Sequence, residues 1–150
     1  MAPKFTLVPS EIFSEDSARD IISEVVPLEK GEPLSFLEIK AYDAVLVYAG
    51  KTRPAVYDMI MSLFKLRGYN KILASVKDGY LYLVIAQGDR LVFCNCFQAK
   101  DFTTAEYYIF MVLKQLQINP EVSTLTFTSD ISKDRTAELY HYFKAAEVLQ

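Results

Sequence analysis

Residues 71–97 read KILASVKDGYLYLVIAQGDRLVFCNCF, and their pattern decides the fold. Three strand-like runs, Lys71–Lys77, Tyr80–Gln87 and Arg90–Phe97, are rich in β-branched and aromatic residues. Asp78–Gly79 between the first two is a hairpin-turn signal, and the three runs in succession read as a meander. Beyond them the pattern changes period. Apolar residues recur at helical spacing over Thr104–Ile118, a short strand follows at Thr124–Thr128, and a final helix is expected over Lys133–Leu149.

The N-terminal portion is also legible. Phe5–Val8 reads as a strand closed by Pro9, which has no N–H to give a central ladder. Ser14 is placed to cap a helix whose first turn carries Glu15 and Asp16, and Ala18, Ile21, Ile22 and Val25 follow at helical spacing. Val26–Pro33, with two prolines and a glycine, reads as a loop. Ser35–Ile39 is a candidate edge strand, and the continuously apolar Asp43–Ala49 a strand buried on both faces. A further helix is expected from Thr52–Pro54 to Arg67, with Gly68 terminating it. Alternating strands and helices predict an α/β (α+β) architecture with a mixed sheet. The 150 residues are expected to form one domain, with 1–70 a smaller α/β portion and 71–150 a second portion.

Composition excludes several classes. Hydrophobic residues make up 51% of the chain, including ten Phe and ten Tyr, so a core is expected and disorder is not. The net charge of −3 and the scatter of sixteen Lys and Arg argue against a nucleic-acid partner. No run approaches the roughly eighteen apolar residues of a membrane span. The five-residue apolar stretch after Lys4 is too short for a signal-peptide core. Cys94 and Cys96 lie one residue apart on a strand, side chains on one face, a poor geometry for a mutual disulfide. A reducing, cytoplasmic setting is the expectation.

Three strands of meander, then helix, strand, helix, is the order of the ribonuclease-H-like fold, shared by many nucleases and by each lobe of actin-like ATPases. More specifically, Phe5–Thr–Leu–Val–Pro–Ser–Glu–Ile–Phe13, Leu91–Val–Phe–Cys–Asn–Cys–Phe97 and Asp101–Phe102 with Ala105–Glu–Tyr–Tyr–Ile–Phe110, Leu113–Lys–Gln–Leu116 and Asn119–Pro120 resemble one uncharacterised bacterial family. The resemblance implies an actin-like ATPase fold without an assigned activity. It also implies that complete members carry a further lobe ahead of the Phe5 motif, so that this chain corresponds to their C-terminal portion.

In actin-like lobes, phosphates sit on the hairpin between the first two strands. The matching segment here is Val76–Tyr80, which makes Asp78 and Gly79 the phosphate-loop candidates. Asp-Gly is equally the commonest hairpin turn signal, and that plain reading takes precedence. The second, adenosine-holding loop matches Phe127–Ile131, which contains no glycine, so side chains stand where close backbone approach is needed. ATP is therefore not expected as a ligand. A nuclease centre would need Asp78, Glu106 and Asp130 to converge around metal ions roughly 3.5–4 Å apart. Asp78 lies in a turn, Glu106 completes a capping box with Thr103, and Asp130 is placed to cap the final helix. No catalytic residue, metal site or cofactor is assigned. Cys94 and Cys96 lack two further ligands for zinc, the lone His141 has no acid or nucleophile beside it, and no serine sits in a nucleophile elbow.

The Thr104–Ile118 helix is apolar almost all round, as expected of a helix covered on more than one side. Tyr107, Phe110, Tyr140 and Phe143 are the candidates for the centre of an association surface, in a homodimer or with another protein lobe. The function these observations imply is a non-catalytic binding or assembly module. The alternative is a degenerate or partner-completed nucleotide-binding lobe.

Overall fold

The computed structural model describes residues 3–149. The chain divides between Asp58 and Met59 into two compact units, each described by itself below.

In the first unit, strands β1 (Phe5–Pro9), β2 (Leu34–Ile39) and β3 (Ala44–Ala49) form an antiparallel sheet in the order β1-β3-β2. The apolar β3 is central and pairs with both neighbours, Leu46 standing opposite Leu7 and Leu37. Its residues Ala44 to Tyr48 are all buried. Helix α1 (Glu15–Ser23) starts where Ser14 accepts the Ser17 amide at 3.2 Å. Ala18 and Ile22 of α1 pack with Val8, Val45 and Val47. Val25 falls beyond the helix end and is exposed.

Helix α2 (Ala55–Ser62) is shorter than its sequence pattern. It tightens into a 3-10 turn over Leu63–Lys65, and Leu66 is already extended. Gly68 (φ 88°) therefore shapes the turn into the next strand rather than ending the helix. That strand starts at Asn70, and its pairing draws the chain out of the helix early.

The second unit contains a five-stranded sheet. Strands β4 (Asn70–Lys77), β5 (Tyr80–Gln87) and β6 (Arg90–Gln98) form the antiparallel meander. Helix α3 (Phe102–Gln115) returns the chain so that β7 (Thr124–Phe127) lies parallel to β4. Helix α4 (Lys133–Leu139) leads to β8 (Ala145–Val148), parallel to β7. The spatial order is β6-β5-β4-β7-β8, a meander extended on its β4 side by two parallel strands. A bulge between Ile85 and Ala86 sets Phe93 opposite Ile85 and Leu91 opposite Ala86.

The core expected from the apolar pattern forms on one face. Leu81, Leu83, Ile85, Leu125 and Phe127 are fully buried against Val112 and Leu139, and Val92, Phe93 and Tyr108 pack around them half-buried. Within α3 only the stripe Ala105, Ile109, Val112 and Leu113 is fully buried, the i, i+4, i+7, i+8 spacing of one face. The helix is thus covered on one side, with Tyr107 64% exposed on another.

The C-terminal segment is the largest departure from the sequence reading, which extends the last helix to Leu149. The helix stops at Leu139, and residues 145–148 form β8. Ala-Ala-Glu-Val-Leu has good helix propensity, but the open edge of β7 offers a full ladder. Leu149 N–H reaches Phe127 O at 2.8 Å, Lys144 N–H reaches Ser123 O at 3.0 Å, and Ala146 becomes buried. A packed ladder outweighs a few tenths of a kcal/mol per residue of propensity.

Candidate functional site

Because β4 and β7 run parallel, their carboxyl ends emerge together, where open α/β sheets bind ligands. The structure therefore joins the two segments singled out in sequence. Thr128 N–H donates to Ala74 O at 2.9 Å, and Val76 N–H donates to Ser129 Oγ at 3.0 Å. Asp78 (φ 53°) and Gly79 (φ 81°) are both left-handed, the backbone of a type I′ hairpin. Gly79 O accepts the Ala99 amide at 2.8 Å, and a Cβ on Gly79 would meet nothing within 4 Å. The turn's own geometry accounts for both residues. A phosphate cradle needs several amides aimed at one point, and the Val76 amide is already engaged by Ser129.

The three carboxylates of the nuclease reading do not form a cluster. Among the described residues no group of three His, Cys, Asp or Glu side chains is placed to hold a metal ion. Asp78 and Asp130 are exposed. Glu106 of α3 pairs with Arg135 of α4 at 3.5 Å. Arg135 also reaches Glu138 at 3.6 Å and lies over the Phe102 ring at 5.3 Å. Burial raises the Glu106 pKa, the nearby Glu138 adds to this, and Arg135 opposes both. Both expected caps are displaced. Asp101, not Thr103, caps α3, accepting the Thr104 amide at 2.7 Å, and that bond lowers the Asp101 pKa. Ser132, not Asp130, caps α4 through the Arg135 amide at 3.2 Å.

The aromatic candidates separate into surface and core. Tyr107 is 64% and Tyr140 52% exposed. Phe143, by contrast, is buried in the core and drops out as an accessible contact. The chain turns sharply after α4 and tucks it inward. Phe110 is half-buried, 5.5 Å from the Phe143 ring and 5.4 Å from Tyr142. Tyr142, itself 52% exposed, completes this surface. Sequence reading missed it because a continuous helix gives position 142 no distinct role. A second row of rings runs Phe93–Phe97–Tyr108–Tyr107, with Phe97 and Tyr108 stacked at 4.6 Å. It starts on β6, the edge strand of the sheet.

Residues 60–145 match the family described as "Protein of unknown function (DUF3822)". The chain belongs to that family. The match lies within the second unit, covering the meander, α3, β7 and α4. A crystal structure from Bacteroides thetaiotaomicron VPI-5482, of a "protein with actin-like ATPase fold and unknown function", is also similar. The TM-score is 0.81 at 22% identity, over 99% of this chain and 65% of that one. At that identity the likeness establishes the fold alone, and this DUF3822 chain spans only 65% of that protein's length. No curated protein matches it.

Two further features of the DUF3822 chain bear on its chemistry. Cys94 and Cys96 are free thiols on one face of β6. Burial pushes the Cys94 thiol up to about 12, with Cys96 adding to the shift, so neither the pair nor Cys94 alone is poised as a nucleophile. His141 lies not on a helix but in the exposed turn after α4. Among the described residues no helix is long and apolar enough to cross a membrane.

Proposed function

We propose that this DUF3822 chain is a non-catalytic binding or assembly module built on the actin-like ATPase fold. The observation that carries the reading is the aromatic surface of α3 and the turn after α4. There Tyr107, Tyr140 and Tyr142 stand more than half exposed, with Tyr107 against the Tyr108 ring and Tyr142 against Phe110, which packs in turn on the buried Phe143. Tyrosine is suited to contact surfaces because an apolar ring carries a polar tip. The partner is a second copy or another protein lobe, and the setting is the cytoplasm, where two neighbouring thiols stay reduced. Sedimentation of the wild type and of Tyr107→Asp with Tyr140→Asp at micromolar concentration tests self-association. The wild type should associate and the folded double variant should not. A wild-type monomer at every concentration removes the homodimer and leaves only a different protein as partner.

A second reading, a degenerate or partner-completed nucleotide-binding lobe, has one observation in its favour. The end of β4, which leads into the Asp78–Gly79 hairpin, is bonded to the loop after β7. A magnesium-dependent rise in melting temperature with millimolar ATP, lost in Asp78→Ala, would replace the first reading with this one.

A further inference from the structure

We infer that a cavity beside β7 and β8 is a binding site for a small phosphate monoester. It rests on a different surface from the proposed association face and does not depend on that reading. The cavity measures about 270 Å³ and is lined by Lys65, Arg67, Asn70, Thr124, Thr126 and Glu147. It adjoins a smaller hollow of about 160 Å³ that shares Arg67, Asn70 and Thr124 and adds Lys144.

The wall is assembled from distant parts of the chain. In a molecule of net charge −3, Lys65 and Arg67 line the cavity, and Arg67 and Lys144 line the hollow beside it. None of the three is ion-paired with another described residue. Between them the polar groups are already oriented. Gln87 Nε2 donates to Asn70 Oδ1 at 3.0 Å, Asn70 Nδ2 donates to Ser123 Oγ at 3.0 Å, and Ser123 Oγ donates to Asn119 O at 2.8 Å. This chain holds the Asn70 amide on the wall without rotamer freedom to lose on binding. Thr124 and Thr126 point to one face because residues two apart along a strand do so, while Leu125 and Phe127 fill the core behind them.

Charge and size then select the ligand. Across the cavity and the adjoining hollow together, three cations against one carboxylate leave an excess of two positive charges, the complement of a phosphate monoester near neutral pH. Arg67 supplies a planar fork for two phosphate oxygens, and the lysines act as point charges. Glu147, which would repel a second anionic group, accepts hydrogen bonds from hydroxyls on the rest of the ligand. The volume lies just below the roughly 300 Å³ at which drug-sized pockets begin, which suits a small molecule and not a dinucleotide or a polymer.

The test is calorimetric titration of the full chain with glycerol 3-phosphate and with inorganic phosphate, at ionic strength held constant with sodium chloride, together with amide NMR mapping. Saturable binding of glycerol 3-phosphate is expected, with shifts centred on Arg67, Asn70 and Thr124. Arg67→Gln and Lys144→Gln should each weaken it by about ten-fold, the scale of one charge-assisted hydrogen bond. Glu147→Gln should weaken glycerol 3-phosphate but not inorganic phosphate. All three side chains are exposed, so folding is expected to survive. Should Arg67→Gln melt early, Lys144→Gln and the wild-type map decide. No saturable binding, shifts centred elsewhere, or unchanged affinity in the folded variants would overturn the site.

Discussion

Ser129 takes the amide hydrogen of Val76 on its hydroxyl oxygen at 3.0 Å, tying the loop after β7 to the end of β4. Ser129→Ala removes that acceptor while leaving the amide half-buried. A loss of about 1 kcal/mol in denaturant unfolding is expected, with faster hydrogen exchange at Val76 than in the wild type. An unchanged exchange rate would mean that the two segments are held together by other means.

Gly79 sits at φ 81° with open space around it, so its cost of substitution is conformational rather than steric. Gly79→Ala should destabilise by about 1–2 kcal/mol, the penalty for a side chain in left-handed backbone. Neither the wild type nor this variant should gain melting temperature from ATP and magnesium. A ligand at a hundred times its dissociation constant would add about 2.7 kcal/mol and could not be overlooked.

Asp101 and Glu106 sit five residues apart on the α3 start and respond to pH in opposite directions. The Thr104 amide lowers the Asp101 pKa, so its contribution is present above the ordinary carboxylate value of about 3.9 and is lost as pH falls through the lower folded value. Burial raises the Glu106 pKa, so its contribution is present below about 4.3 and is lost as pH rises through the higher folded value. In melting curves from acid to neutral pH, wild type should exceed Asp101→Asn most at neutral pH. Glu106→Gln should gain on the wild type as pH rises.

Phe143 and Tyr107 were grouped by composition and are parted by packing. Phe143→Ala should cost about 3–5 kcal/mol, since it leaves a cavity in a closed core. Tyr107→Asp, at an exposed position, should change thermal stability by less than about 0.5 kcal/mol. If Tyr107→Asp unfolds the chain, the tyrosine surface is structural and the assembly role loses its support.

The sequence by itself determined what depends on neighbours along the chain. The Asp78–Gly79 hairpin, the Ser14 cap and the doubly buried β3 were legible because turn chemistry, capping and hydrophobic period each act within a few residues. Tertiary structure alone decided what depends on partners far away. Ala145–Val148 is a strand because β7 had an unpaired edge to offer it, against its own helix propensity. Glu106 left its expected cap for Arg135, carried on α4. Phe143 went inside when α4 ended early, and Lys65 and Arg67 came to share a cavity wall with Glu147, with Lys144 on the adjoining hollow, although the two pairs of positions lie far apart along the chain. Local preferences are worth tenths of a kcal/mol per residue. Completing a ladder or closing a core over a phenyl ring is worth several, so the long-range terms prevail wherever the two conflict.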